Sequence, residues 1–213
     1  MSFSSIGKSV FLLAGFALLT VGLLALTENR TAEKIQQNRL NALKKALHEV
    51  LPPQQFDNSI TASTVTVQSV LLGSPKASAA YIATLQQQPS AIVFQTTANE
   101  GYNGNIQLLL SINWQGEILG LRALGHKETP GLGDKINYNK SHWVDSFRGR
   151  SLTNTDSPQW NVKKDGGVFD SFTGATITPR AVIKGVQQTL QYFQENKSNI
   201  ASRYQQRNSE PKP

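Results

Sequence analysis

The sequence contains no cysteine, and this absence removes several kinds of chemistry at once. Disulfide bonds, thiolate catalysis, iron–sulfur clusters and cysteine-ligated zinc all need a residue that this chain of 213 residues lacks. Its three histidines, His48, His126 and His142, are scattered without the spacing of metal ligands. We therefore predict no metal site and no catalytic residue in this chain.

The common nucleotide-binding and nucleophile motifs are also missing. There is no P-loop and no G-x-S-x-G elbow, and Gly131-Leu132-Gly133 lacks the third glycine of a dinucleotide fingerprint. The formal net charge of +7 comes from lysines and arginines that are spread along the chain. Because a nucleic-acid surface needs clustered positive charge, we predict no nucleic-acid partner.

A long uncharged segment stands near the N-terminus. Residues 9–27, "SVFLLAGFALLTVGLLALT", would span most of a bilayer core of roughly 30 Å at about 1.5 Å per residue. The segment predicts a transmembrane helix that follows a short cytoplasmic tail over residues 1–8. A cleaved signal peptide is the alternative, although the apolar run exceeds the usual length of about 7–15 residues and no clear cleavage site follows it. Lys8 lies before the segment and further basic residues follow it, so charge does not decide its orientation.

Residues 28–52 predict an amphipathic stalk helix that continues from the membrane. Its apolar residues fall near helical spacing, and Pro52-Pro53 should end the helix. These apolar residues are Ile35, Leu40, Leu43, Leu47 and Val50. We expect one soluble domain over residues 53–205 and a disordered tail over residues 206–213.

The body of the chain has the patterns of an α+β domain. Residues 63–72 and 91–97 are rich in β-branched residues, as strands are. "GNIQLLLSINW" and "EILGLRALG" flank Gln115-Gly116, which fits a tight hairpin turn. These patterns predict an antiparallel or mixed sheet with flanking helices.

The last helix begins near a stretch that is crowded with threonines, "DSFTGATITP", residues 170–179. Thr178 is a good N-cap and Pro179 a good first helical residue, and apolar residues then recur at helical spacing. Thr176 would lie two residues ahead of that cap, where the helix dipole favours a phosphate. Lys163, Lys164 and Arg180 could add positive charge there. On its own, such a sequence is more often a helix cap than a ligand site.

Several motifs resemble known families. Residues 170–176 match D-x-x-[ST]-G-A-T, the pattern by which a flavin transferase recognises the threonine that it modifies. The chain also resembles the G-subunit family of the bacterial Rnf (or Rsx) electron-transport complexes. The matching features are the N-terminal anchor, "GYNGNIQLLL", "GEILGLRAL", "ETPGLGDKI", "VKKDGG" and "FTGATITPRAV". The related C subunit of the sodium-pumping NADH:quinone reductase shares the "ETPGLG" and "GAT" signatures.

The resemblance implies a cofactor and a set of site residues. Thr176 would carry one covalent FMN through a phosphoester, with FAD as donor and Mg²⁺ used by the separate transferase. Recognition and positioning would fall to Asp170, Thr173, Gly174 and Ala175. The flavin ring would be lined by Glu128, Thr129, Gly131 and Leu132. Aromatic packing on the ring is left open among Tyr102, Trp114, Trp143 and Trp160.

The resemblance also implies where the protein works. It would be a single-pass protein of the bacterial inner membrane with a periplasmic FMN-binding domain. There it would relay electrons within a complex that couples ferredoxin/NAD electron transfer to ion translocation, so it would not be a complete enzyme alone. Its partners would be the other subunits of the complex and the flavin transferase. The alternative is a membrane-anchored binding or assembly module without a cofactor, in which Thr176 helps to cap a helix.

Overall fold

The computed structural model describes residues 3–209, except for the side chains of residues 3–6, 29, 33, 39, 208 and 209. In chain order, the long helices and strands are α1 (Phe3–Val50), β1 (Thr64–Ser69), β2 (Ser74–Leu85), β3 (Gln88–Gly101), β4 (Gly104–Asn113), β5 (Ile118–Gly125) and α2 (Ile177–Ser209). Short 3-10 helices occupy Pro53–Gln55, Ile60–Ala62, Val70–Leu72, Gly133–Ile136, His142–Phe147, Ser157–Gln159 and Lys163–Asp165. The chain divides into two compact units, the first ending at Leu43 and the second beginning at Lys44.

The first unit is the greater part of α1. The helix runs without interruption through the predicted membrane segment and on into the predicted stalk. By length and composition it can cross a membrane, and its most apolar window has a mean hydropathy of 2.4. The hydroxyl groups of Thr20 and Thr27 donate to the carbonyls of Phe16 and Leu23 at 2.8 and 2.7 Å. These polar groups are therefore satisfied within the helix, as a lipid environment requires.

The second unit is built on a five-stranded sheet in the order β1-β2-β3-β4-β5. Each strand pairs antiparallel with its neighbours in sequence, so the prediction of an antiparallel sheet in an α+β domain is confirmed. The predicted hairpin is also present, because Gly116 has a φ of 98° in the turn that joins β4 to β5. Strand β2 was not expected from the sequence.

Helix α2 covers one face of the sheet. Phe94 of β3 meets Tyr192 edge-on, with 5.9 Å between ring centroids. The buried hydroxyls of Thr96 and Thr189 are hydrogen-bonded at 2.9 Å. Gly185 lets the helix approach the strand closely, since a Cβ built on it would lie 3.0 Å from the Cβ of Ala98. These contacts fix where the N-terminus of α2 lies along β3.

The last turns of α1, which belong to the second unit, pack on the sheet as well. Leu47, Val50 and Leu51 are buried, and the Ser111 hydroxyl on β4 donates to the carbonyl of Val50. A Cβ on Gly120 of β5 would lie only 2.6 Å from that same carbonyl oxygen, so no larger residue fits there without movement. The last turns of the stalk are thus part of the core of the domain.

An ion pair holds the same junction. The half-exposed carboxylate of Glu49 accepts a hydrogen bond at 3.0 Å from the buried guanidinium of Arg122. That guanidinium also lies 3.6 Å from the ring centroid of Tyr138, over its face. A buried arginine with both an ionic and an aromatic partner holds the last turn of α1 in one orientation on the sheet.

The structure differs from the sequence-based prediction at the start of the domain and at its C-terminal tail. The domain unit begins at Lys44, not at residue 53, because the residues just before Pro52 are packed in its core. The predicted disordered tail is wrong for residues 206–209, where α2 continues to Ser209 and the Arg207 guanidinium donates to the carbonyl of Thr64. The remaining residues of that predicted tail, 210–213, lie outside the described part of the chain.

Candidate functional site

The segment before α2 forms a tight turn on an aromatic support. The Ala175 N–H donates to the Phe172 carbonyl at 3.0 Å, which closes a four-residue turn. Gly174, the third residue of this turn, has a φ of 78°, a conformation that glycine adopts more readily than other residues. Phe172 is buried edge-on against Trp143, with 5.0 Å between centroids. The indole N–H of Trp143 donates to the carbonyl of Asp170 at 2.8 Å. The base of the turn is therefore held in the core while Thr173 and Gly174 are exposed.

Thr176 directly precedes α2, and this corrects the predicted helix start. Helix α2 begins at Ile177, and the Thr176 carbonyl accepts a hydrogen bond from the Arg180 N–H at 3.4 Å. The prediction of Thr178 as N-cap is wrong, because Thr178 lies inside the first turn and is fully buried. Within the described residues, the half-buried Thr176 hydroxyl has no hydrogen-bond partner.

Thr178 instead joins α2 to the "ETPGLG" loop. Its hydroxyl donates to one carboxylate oxygen of Glu128, which is also buried. The other carboxylate oxygen accepts the backbone N–H of Asn103 at 3.0 Å. A Cβ on Gly133 would lie 2.8 Å from both the Glu128 carboxylate and the Thr178 hydroxyl. Glu128 is thus the centre of a buried polar junction between the loop, the β3–β4 turn and α2.

The "ETPGLG" loop, residues 128–133, folds around one carbonyl. The carbonyl of Thr129 accepts the N–H groups of Leu132 and Gly133, each at 3.1 Å, and Gly131 has a φ of 78°. Leu132 is 41% exposed, and its Cδ2 lies 3.5 Å from the position that a Cβ on Gly174 would take. The structure therefore brings together the two segments that the sequence analysis selected separately.

The predicted site residues differ in their exposure at the surface that the "ETPGLG" loop and the turn before α2 form together. Leu132 and the turn of Thr173, Gly174 and Ala175 lie at it, and Thr176 is next to them in the chain. Thr129 is half-buried and its hydroxyl accepts from the Asn103 side chain at 3.2 Å. Glu128 faces inward, with both carboxylate oxygens engaged by protein groups.

The aromatic candidates separate by burial. Trp143 and Trp160 are buried in the core, and Trp114 packs edge-on against Phe193. Tyr102 is 66% exposed and directly precedes Asn103, which contacts the "ETPGLG" loop. Of the four aromatic candidates, Tyr102 is therefore the exposed one beside the site.

Some neighbours of the candidate site were not predicted from the sequence. Asn103, Gly133 and Thr178 make the junction with Glu128, yet each looks like an ordinary turn or cap residue in the sequence. Glu128 and Thr178 are 50 positions apart in the sequence, so no local spacing predicts their contact, which depends on the packing of α2 on β3.

The cations near Thr176 are largely paired. The Arg180 guanidinium makes two hydrogen bonds to the Asp165 carboxylate, at 2.7 and 2.8 Å. The Lys163 ammonium lies 2.7 Å from the Asp170 carboxylate. The hydrogen bond from Arg180 holds the pKa of Asp165 below its ordinary value. Two of the three cations expected to attract a phosphate thus already have carboxylate partners.

Comparison with known proteins shows the family to which this chain is similar. Residues 101–191, which include the whole junction, match the FMN-binding domain family, and residues 1–50 match the RnfG N-terminal region. The chain is 48% identical over 196 residues to the G subunit of the ion-translocating oxidoreductase complex of Shewanella baltica, with 92% of each chain covered. The corresponding protein of Shewanella oneidensis gives the same identity and coverage, and that of Vibrio atlanticus is 45% identical over 91% of this chain and 92% of its own.

These matches define a membrane-associated protein with an FMN-binding domain. The chain belongs to the family of the G subunits of ion-translocating oxidoreductase complexes, the Rnf G-subunit family.

Proposed function

We propose that this protein is the FMN-bearing electron-transfer subunit of an ion-translocating oxidoreductase complex. Membership of the G-subunit family supports the role, and the match to the FMN-binding domain supports the cofactor. The observation that carries the site is the Thr176 hydroxyl, which has no partner among the described residues and lies at the start of α2.

We infer that Thr176 holds the cofactor covalently. Its hydroxyl oxygen would form a bond to the FMN phosphorus of FAD while the bond from that phosphorus to the bridging pyrophosphate oxygen breaks. AMP then leaves and the hydroxyl proton is released. The backbone N–H groups of Ile177 and Thr178 in the first turn of α2 favour the remaining phosphate charge at this position.

The residues around Thr176 fit an apolar aromatic ring. Leu132, Ile177 and Tyr102 are 41%, 46% and 66% exposed, so each has apolar surface available to a flavin ring. Leu132 reaches the Gly174 turn, and Tyr102 lies beside the loop that carries Leu132. When bound, FMN supplies one- and two-electron redox chemistry, and the protein's part is to position and shield it.

The remaining predicted residues receive roles on the same basis. Asp170, Thr173, Gly174 and Ala175 present the turn to the transferase. Gly131 and Thr129 shape the loop beneath the ring. Glu128 acts through the junction that fixes this loop on α2, because its carboxylate is buried and occupied.

We also propose a location and partners for this protein, on the basis of its family. Helix α1 would anchor the protein in the bacterial inner membrane, with the domain in the periplasm. The other subunits of the complex would exchange electrons with it between ferredoxin and NAD, and a separate flavin transferase would load it. A tethered cofactor would not be lost by dilution outside the cytoplasm.

Co-expression of the full chain with a flavin transferase tests the attachment. We expect flavin fluorescence that stays with the polypeptide on a denaturing gel and an intact mass increased by one FMN moiety. Thr176→Ala should lose both signals, whereas Ser171→Ala, which removes an exposed hydroxyl at an unspecified position of the same motif, keeps Thr176 as the acceptor. Fluorescence that survives in Thr176→Ala contradicts the assignment, and a colourless wild-type protein of unchanged mass supports the cofactor-free module.

A further inference from the structure

The short 3-10 helix Lys163–Asp165, here called the KKD turn, makes ionic contacts with both ends of the segment Asp170–Arg180. Lys163 pairs with Asp170 at the beginning of this segment, at 2.7 Å. Asp165 pairs with Arg180 at its end through two hydrogen bonds. The segment contains Thr176, and its two ends are thus held by residues that are two positions apart in one turn.

The KKD turn is itself held tightly by its backbone. Lys163 N–H donates to the Phe169 carbonyl at 2.7 Å, and Phe169 is fully buried. Gly166 ends the turn with a φ of 84°, and the Gly167 N–H donates to the Val162 carbonyl at 3.0 Å. A Cβ on Gly167 would lie 2.6 Å from the Cα of Asn161, so the second glycine is needed for close approach. A turn held in this way can fix the positions of both ends of the segment that it contacts.

The Asp165–Arg180 pair has the geometry of a specific contact. Both oxygens of the carboxylate meet two different nitrogens of the guanidinium, and such bidentate pairs fix orientation as well as distance. The hydrogen bonds of the pair also raise the pKa of Arg180 and lower that of Asp165. The pair therefore joins the first turn of α2 to the KKD turn.

We propose that the KKD turn is a positioning element that holds Thr176 in the arrangement used by the flavin transferase. Lys163, Asp165 and Arg180 are its positioning residues, and none of them needs to touch the flavin. The inference rests on the proposed attachment at Thr176 and adds the device that presents this hydroxyl. Pre-ordering of an acceptor segment raises the rate of its modification because less conformational entropy is lost on binding.

The initial rate of FMN transfer tests the proposal. Full-length protein made without transferase would be incubated with transferase, FAD and Mg²⁺, and intact mass would give the labelled fraction over time. We expect Asp165→Asn and Arg180→Gln each to lower the initial rate roughly fivefold, as for loss of a well-formed ion pair. The double variant Asp165→Arg with Arg180→Asp should recover most of the rate, because it restores the pair with the charges exchanged.

Lys184→Gln is the matched control. Lys184 is also an exposed residue of α2 and loses an ion pair of similar length, 2.9 Å to Glu100, away from the KKD turn. It should label at the wild-type rate, and the melting temperatures of all variants should agree with that of this control. Rates in Asp165→Asn and Arg180→Gln that equal the control overturn the proposal. Failure of the exchanged pair to recover also overturns it, because Arg180 would then act directly on the transferase or FAD.

The same assay separates this inference from the proposed attachment. If the wild type is not labelled, or if Thr176→Ala is labelled as fast as the wild type, the attachment site itself is wrong. If labelling depends on Thr176 but the pair variants label normally, only the role of the KKD turn is wrong.

Discussion

The hydrogen bond between Thr178 and Glu128 joins the first turn of α2 to the loop that carries Leu132. Both side chains are buried, so the Thr178 hydroxyl and one oxygen of the Glu128 carboxylate depend on each other for a hydrogen-bond partner. A buried polar group that loses its partner costs more than the bond itself contributes, because its desolvation is no longer compensated. This contact therefore helps to hold the two halves of the candidate site together.

Thr178→Val should destabilise the domain by about 1–3 kcal/mol, because one oxygen of the Glu128 carboxylate is left buried without a donor. Thr178→Ser keeps the hydroxyl and should retain most of the stability. Urea unfolding of the detergent-solubilised full chain, followed by tryptophan fluorescence, measures both. Equal midpoints for the valine and serine variants would show that the hydroxyl contributes nothing.

The two threonines also show the limit of sequence analysis at this scale. Thr176 and Thr178 are both reasonable caps for a helix that starts near residue 178. What distinguishes them is Glu128, which engages Thr178 and leaves Thr176 without a partner in the described chain. The motif D-x-x-T-G-A-T selects Thr176 through resemblance, but the buried junction is visible only in three dimensions.

Among the elements, the last turn of α1 is fixed on the sheet. The Val50 carbonyl is one of the four at the helix C-terminus that have no partner within the helix, and the Ser111 hydroxyl satisfies it. Gly120 allows this approach, and Arg122 pairs with the neighbouring Glu49. The junction therefore combines a helix cap, a close backbone contact and an ion pair.

Gly120→Ala should weaken this junction by about 1–3 kcal/mol, because the added methyl group meets backbone that cannot move away easily. Gly125→Ala is the control on the same strand, since its Cβ would meet only the flexible Gln107 side chain, at 3.3 Å. Urea midpoints measure the stability, and limited proteolysis with mass analysis detects new cleavage near Pro52 and Pro53. The same midpoint for both variants would mean that the contact at Val50 is not tight in solution.

Elements differ in how well the sequence predicts them. The β4–β5 hairpin was predictable because Gln115-Gly116 separates two strongly apolar strands. Strand β2 was not, since Pro75, Lys76 and several small residues at its start lack the β-branched character of a strand. Its second half is buried because it pairs with β3, which is a tertiary effect. Tertiary contact also explains why α2 extends past residue 206 to Ser209, with Arg207 bonded to Thr64.

At the scale of the whole molecule, the domain includes the C-terminal end of α1, the helix that carries the candidate membrane segment. Leu47, Val50 and Leu51 belong to or directly follow α1 but are buried with the sheet. A boundary drawn at Pro52-Pro53 from sequence alone divides this core.

A chain that begins at Lys44 should therefore fold more stably than one that begins at Pro53. Loss of three buried aliphatic side chains removes roughly 4–9 kcal/mol as an upper estimate, which is comparable with the whole stability of an ordinary domain. Circular dichroism and urea unfolding of the two chains measure the difference. Indistinguishable stabilities would show that these three residues add little to the core.

The strand order has a consequence for biosynthesis. Because each strand pairs with its neighbours in sequence, the sheet can assemble progressively as the chain leaves the ribosome. Helix α2 is the last of these elements to be synthesised. It supplies Thr178, which bonds to Glu128, and its first turn directly follows Thr176. A transferase that recognises the folded segment would accordingly act on finished chains, so that prematurely terminated chains would not be loaded with flavin.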